Sequence, residues 1–252
     1  MPHLFRLSPP RNRYYAWFSA LHTRVDLLLL APLTEDEFQT VEEAIHAELA
    51  AVEQMGNRFN PNSELSRAVQ AATARPVSIS KDLYSLLARC LQANRETGGL
   101  FDITVNSPDF HPGLIRAVEL TPSSTGGSLR LHRISPLPSL TGSEEPSIIL
   151  DLSGILKGYA LERLRQLLAS FAITDALISL GNSSILSLGH NPSDIPPSNC
   201  LTTSGNATPQ RRHIRNPLTG KLIEGQKTIS VTTPNGIDGE ILSITRFLQA
   251  YS

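Results

Sequence analysis

The stretch from Ser147 to Leu180 constrains the fold more than any other part of the chain. Ser147 to Leu152 reads as a buried strand, Ser153-Gly154 as a turn, Lys157 to Phe171 as an amphipathic helix and Asp175 to Leu180 as a further strand. Strand, helix and strand with short connections are the pattern of a βαβ unit. The expected class is therefore α/β, in the mixed α+β sense, with mixed sheets flanked by helices.

The remaining sequence supplies more of the same elements. Tyr14 to Ala31, rich in aromatic, β-branched and leucine residues and ended by Pro32, suits one early core strand. Thr34-Glu35-Asp36-Glu37 places a capping residue three before a glutamate, and Val41, Ala44, Ile45, Leu49 and Val52 recur at helical spacing. Ser63 to Ser66 reads as a short helical turn. A second amphipathic helix is expected from Ser80 to Thr97, stopped by Gly98-Gly99. Ser107 to Pro146 is rich in Pro, Ser and Gly, with alternation at Ser128 to Arg133 that suits hairpin strands. Asn191 to Pro197 reads as a loop, Asn216-Pro217 and Thr219-Gly220 as turns, and Asp238 to Leu248 as a final helix. The length of 252 residues suits a single domain over 1–252, with residues 1–13 as a candidate disordered arm.

Charge and composition exclude several classes. Basic and acidic side chains number 22 and 23, so nothing favours a nucleic acid or an anionic membrane surface as partner. Cys90 and Cys200 are far apart and lack metal-site or CxxC spacing, which makes them ordinary thiols. The apolar run Val25 to Leu33 contains Asp26 and is far shorter than the roughly 20 residues a membrane helix needs. Met1 to Arg13 shows no apolar leader, which leaves the compartment open: cytoplasmic as written, periplasmic or exported if an N-terminal signal was removed.

Four segments could carry chemistry. In Asp151-Leu152-Ser153-Gly154-Ile155-Leu156-Lys157 an acid ends a strand, glycine turns the chain and a lysine opens a helix. Unpaired amides at a helix start favour anions, and Lys157 would add a positive charge toward a phosphate. An ordinary structural turn with a surface lysine accounts for the same residues. In Gly98 to Thr104, Phe101 could pack on a planar ring and Asp102 could accept from ring or ribose donors; a helix end followed by core packing is the plainer alternative. His213 follows the polar Thr202 to Gly205 stretch and can take a proton near neutral pH. Asp238 and Glu240 open the last helix, where hard oxygens suit Mg²⁺ and simple capping is equally open.

In order, these segments resemble the FAD:protein FMN transferase family, the ApbE-like flavin transferases. The resemblance runs from Leu21 to Phe247 and rests on Leu21-His22-Thr23, Phe59-Asn60-Pro61-Asn62-Ser63-Glu64-Leu65-Ser66, Gly98 to Thr104, Asp151 to Tyr159, Leu180-Gly181-Asn182, Thr203-Ser204-Gly205 and His213 to Gly220. It implies the ApbE-like fold, FAD as substrate, Mg²⁺ at its diphosphate, and an acceptor protein whose Ser or Thr hydroxyl takes FMN while AMP leaves. Leu21, Phe59, Leu100, Phe101, Asp102, Asp151, Lys157 and Ile214 fall at the family's FAD contacts. Gly154, through its carbonyl, and Glu240 fall at the metal, and His213 falls at the candidate base. This sequence departs from the pattern in several places. Ile244 stands where the family has a metal-binding threonine, Ser153 and Ser183 replace glycines, Val69 replaces an asparagine, and the chain between Gly189 and Thr202 is shorter. A family relative that binds FAD or a protein without transferring FMN, and a pyrophosphatase giving FMN and AMP, are the alternatives.

Overall fold

Alternating burial splits the first apolar run into two strands instead of one. Tyr14, Ala16 and Phe18 face inward on the first, and Val25, Leu27 and Leu29 on the second. Leu27 and Leu29 are wholly buried, and burial of such side chains contributes about 1.5–3 kcal/mol each. Between them Leu21 and His22 form a two-residue turn with φ of 51° and 57°, Ala20 pairing with Thr23. Turns of this kind normally use Asn or Gly, which tolerate positive φ. Neither is present here, so the single strand expected from Tyr14 to Ala31 is a hairpin.

The computed structural model describes residues 3–6, 13–132, 148–206 and 214–251. The chain begins with β1 (His3–Arg6), β2 (Arg13–Ala20), β3 (Thr23–Leu30) and α1 (Glu35–Gly56). Next come α2 (Glu64–Ala72), β4 (Val77–Ser80) and α3 (Lys81–Glu96), then a 3-10 turn at Leu114–Ala117, β5 (Val118–Ser123) and β6 (Gly126–Leu131). The order ends with α4 (Leu156–Ser170), β7 (Ala176–Leu180), β8 (Ser184–Leu188), β9 (Asn199–Asn206), β10 (Lys227–Thr233) and α5 (Gly236–Tyr251). Two compact units result, one from residues 1–53, 155–204 and 228–243, the other from 54–154, 205–227 and 244–252. Of the arm proposed at 1–13, His3–Arg6 pairs with β2.

The first unit is built on a sheet of order β1-β2-β3-β7-β8-β9-β10 among the described residues. Pairs β1–β2, β2–β3, β3–β7, β7–β8 and β8–β9 are all antiparallel. The capping box that predicts α1 is formed: Thr34 N–H donates to Glu37 Oε2 at 2.7 Å, and Glu37 N–H donates to Thr34 Oγ1 at 3.2 Å. α1 buries Phe38, Val41, Ile45 and Leu49, and Phe38 stacks on Tyr14 at 4.7 Å.

In the second unit, α2 and α3 accompany a sheet of order β4-β6-β5, the hairpin foreseen around Ser128 to Arg133 being β5 and β6. Ser63 and Ser80 cap the two helices, accepting from the N–H groups of Ser66 and Leu83. Glu64 ties them together, accepting from both Ser80 N–H and Ser80 Oγ.

The βαβ expectation fails on its first strand. Ser147 lies outside the described residues, and residues 148–152 join no ladder among the described ones. Asp151 N–H donates to Ile103 O at 2.8 Å, and Ser107 Oγ bonds both backbone groups of Ile149. Apolar composition marked this segment for burial, and Ile148, Leu150 and Leu152 are indeed buried, but their neighbour is an irregular loop. The helix and second strand, α4 and β7, are present, and β7 lies antiparallel between β3 and β8.

Candidate functional site

In the second unit the exposed ring of Phe59 begins the site. It is 66% exposed, with the Arg58 guanidinium 4.0 Å from the ring centroid. Arg58 also reaches Asp151 in an ion pair of 2.8 Å, so Phe59 and Asp151 meet through a residue that carries no signal of its own in the sequence. Asp151, only 8% exposed, accepts hydrogen bonds from Asn106 Nδ2 at 2.7 Å and from Ser153 N–H at 2.9 Å. The carboxylate is thereby satisfied and fixed against the turn at Ser153-Gly154.

Gly98 and Gly99 end α3 with φ of 60° and 89°, and Gly99 N–H returns to Asn94 O at 2.8 Å. Phe101, which this turn delivers, is buried, and Leu100 is half-buried. Asp102 Oδ1 accepts from Thr104 N–H and Thr104 Oγ1 at 2.7 and 2.6 Å. Burial pushes the Asp102 carboxyl above its ordinary range, and the Thr104 bonds partly oppose that shift. Asp102 also borders a cavity of about 580 Å³ in this unit, rimmed by Arg95, Arg116 and Leu218. Ile214 is half-buried, and its carbonyl accepts from Ile223 N–H at 2.9 Å, closing the turn that contains Asn216 and Gly220. His213, the candidate base, lies outside the described residues.

The candidate metal residues are poorly supplied with oxygen. A β-carbon placed on Gly154 would lie 3.1 Å from Ile244 Cδ1, so a hydrocarbon side chain packs against this glycine. Among the described residues no group of three or more His, Cys, Asp or Glu side chains is arranged to hold a metal ion.

In the first unit, Leu21 occupies the strained β2–β3 turn, and Glu53 holds it. Leu21 N–H donates to Glu53 Oε2 at 3.3 Å, and His22 Nε2 is 3.3 Å from Glu53 Oε1. Lys157 stands in the first turn of α4 and donates to Ser183 Oγ. Next to Ser183, Ser184 Oγ donates to Glu240 Oε1 at 2.5 Å. Glu240 is 4% exposed; burial raises its carboxyl above the ordinary value of 4.5, while the Lys157 charge and the Ser184 bond draw it back. Gly158 makes this proximity possible. A β-carbon there would lie 2.3 Å from Gly236 O and 2.7 Å from Glu240 Cγ, so only glycine lets α4 and the start of α5 approach so closely.

Sequence reasoning therefore missed Arg58, Asn106, Ser184 and Gly158. A glycine inside a helical pattern was the visible signal for the last, because it costs helix stability unless packing requires it.

Comparison with known proteins gives a consistent result. The ApbE family model matches residues 21–251. A FAD:protein FMN transferase of Chlamydia muridarum is 27% identical over 172 residues, covering 66% of this chain and 52% of that protein. One from Klebsiella pneumoniae is 26% identical over 169 residues, covering 62% of this chain and 48% of its own length. This chain thus spans about half the length of the curated relatives it matches. Among solved structures, the flavin transferase ApbE of Vibrio cholerae superposes with a TM-score of 0.77 at 20% identity, over 95% of this chain and 87% of that one. An ApbE protein of Thermotoga maritima gives 0.74 at 18% identity, over 94% and 87%. At those identities the likeness establishes a shared mixed α/β fold.

Proposed function

The chain belongs to the ApbE family, and from that premise we propose that it is a FAD:protein FMN transferase. In the proposed reaction an acceptor protein's Ser or Thr oxygen attacks the FMN phosphorus of FAD. The P–O bond to the AMP phosphate breaks, the hydroxyl proton passes to a base, and AMP leaves. The observation that carries the reading is the family match across residues 21–251, which spans the fixed Asp151, the Ser153-Gly154 turn and Lys157 at the start of α4.

Each residue has an assigned task. Phe59, exposed beside Arg58, offers a face to a planar ring. Asp151 and Asp102 accept from polar groups of FAD, with Leu21, Leu100, Phe101 and Ile214 shaping the apolar contacts. Lys157 places an ammonium toward the anionic diphosphate, and His213 is the base. The Mg²⁺ that the resemblance implies at Gly154 and Glu240 is not matched by the side chains there, so no step is routed through it.

The test is to incubate the protein with FAD and a peptide carrying a Ser/Thr-Gly-Ala-Thr motif, with and without Mg²⁺. Mass spectrometry would show addition of FMN to the peptide, and AMP should appear in equal amount. AMP without labelled peptide would mean that water is the acceptor, which is the pyrophosphatase reading. The isoleucine against Gly154 favours one further reading, a relative that binds FAD without transferring FMN. Its signature is retained FAD with neither AMP nor labelled peptide.

A further inference from the structure

We propose that this chain binds FAD without a divalent cation, the ammonium of Lys157 supplying the charge that a metal would otherwise bring to the diphosphate. The inference rests on the FAD reading above and adds that the site has lost its metal.

Three observations support it, each within one unit. In the second unit the residue beside Gly154 is Ile244, whose Cδ1 comes within 3.1 Å of a β-carbon built on that glycine. A hard cation needs oxygen donors in that shell, and an isoleucine can supply none. In the first unit Glu240 is already engaged: its Oε1 takes the Ser184 hydroxyl at 2.5 Å and only 4% of the residue reaches solvent. One of its two oxygens is thus committed to Ser184, which narrows what the buried carboxylate can offer a cation. The third observation is Lys157 itself, which donates to Ser183 and whose charge acts on Glu240. A fixed ammonium at the first turn of α4 adds to the positive end of the helix and needs no metal to attract an anion. The Gly158–Gly236 approach fixes this arrangement in the backbone, so it does not depend on a mobile side chain alone.

The experiment is FAD titration by calorimetry on the intact protein, once with EDTA and once with Mg²⁺. Equal affinity in the two conditions is the expected result. A coupled cation would instead change FAD affinity by about 5–150-fold. Binding that appears or tightens by that factor only with Mg²⁺ overturns this inference and leaves the FAD reading standing. Binding in neither condition overturns both. A second measurement uses Lys157→Ala in EDTA, where FAD affinity should fall tenfold or more; unchanged affinity removes Lys157 from the role. Calorimetric titration of Mg²⁺ alone into the double variant Glu240→Asp with Ile244→Thr, which adds a threonine hydroxyl to a shortened carboxylate, should show binding that the parent protein lacks, and Mg²⁺ binding by the parent itself would count against the proposal.

Discussion

Two buried carboxylates that the sequence marks for function are treated in opposite ways. Asp151, in the second unit, is met by a guanidinium, a side-chain amide and a backbone N–H, so its charge is balanced where it lies. Glu240, in the first unit, receives one hydroxyl and the more distant charge of Lys157, and its carboxyl is pushed toward the neutral form. The difference teaches how to weigh an acid in a family motif. Asp151 is surrounded by three donors, whereas Glu240 is placed as an interior group whose nearest donor is a serine.

The comparison breaks most severely if the backbone approach behind Glu240 is blocked. In Gly158→Ala the new methyl would overlap Gly236 O, an atom of the backbone that cannot swing aside. The expected loss is about 3 kcal/mol, at the upper end for overpacking, read as a lowered denaturant midpoint. An unchanged midpoint would show that the Gly158–Gly236 contact is not what brings Lys157 and Glu240 together. The next effect belongs to Asp151. Arg58→Ala leaves that carboxylate without its cation, and because a quarter of the Arg58 side chain is exposed the expected cost is about 2 kcal/mol, less than for a fully buried pair. Asn106→Ala removes one hydrogen bond to the same carboxylate and should cost about 1 kcal/mol. A reversed order of these two costs would mean that the amide, not the guanidinium, holds Asp151.

These contrasts also explain what could be read in advance. The helices α1 and α3 were legible because their ends carry local signals, Thr34 with Glu37 at one and Gly98-Gly99 at the stop of the other, whereas the turn expected at Ser63 to Ser66 runs on as α2 to Ala72. The β2–β3 hairpin was not, because Leu21 and His22 adopt left-handed backbone without the residues that usually announce it. Residues 148–152 were read for burial, which is local, while strand pairing is decided by whichever segment lies alongside. Within the site, Asp151 and Lys157 stood out as polar residues around a glycine turn, and Glu240 as an acid near a helix start. Arg58 could not be assigned to Asp151 from sequence, since the two are far apart in the chain and only folding joins them.

The smallest effect is a pH dependence that sharpens the contrast. Glu240 has a folded-state carboxyl raised above 4.5, mainly by burial. Between 4.5 and that raised value the folded protein holds a proton that the unfolded chain has released. Stability therefore falls as pH rises through the window, and the contribution is fully present below 4.5. Asp102, raised by burial from 3.8, adds a slope of the same sign beginning at lower pH. Glu240→Gln keeps an oxygen to accept the Ser184 hydroxyl but cannot ionise, so it should flatten the part of the fall above 4.5 and leave the Asp102 part in place. Denaturant titrations of both proteins at a series of pH values between 3 and 8 would measure this. Parallel curves would mean that Glu240 stays ionised in the folded protein, with the Lys157 charge and the Ser184 bond outweighing burial, and the difference between the two acids would then lie in their geometry alone.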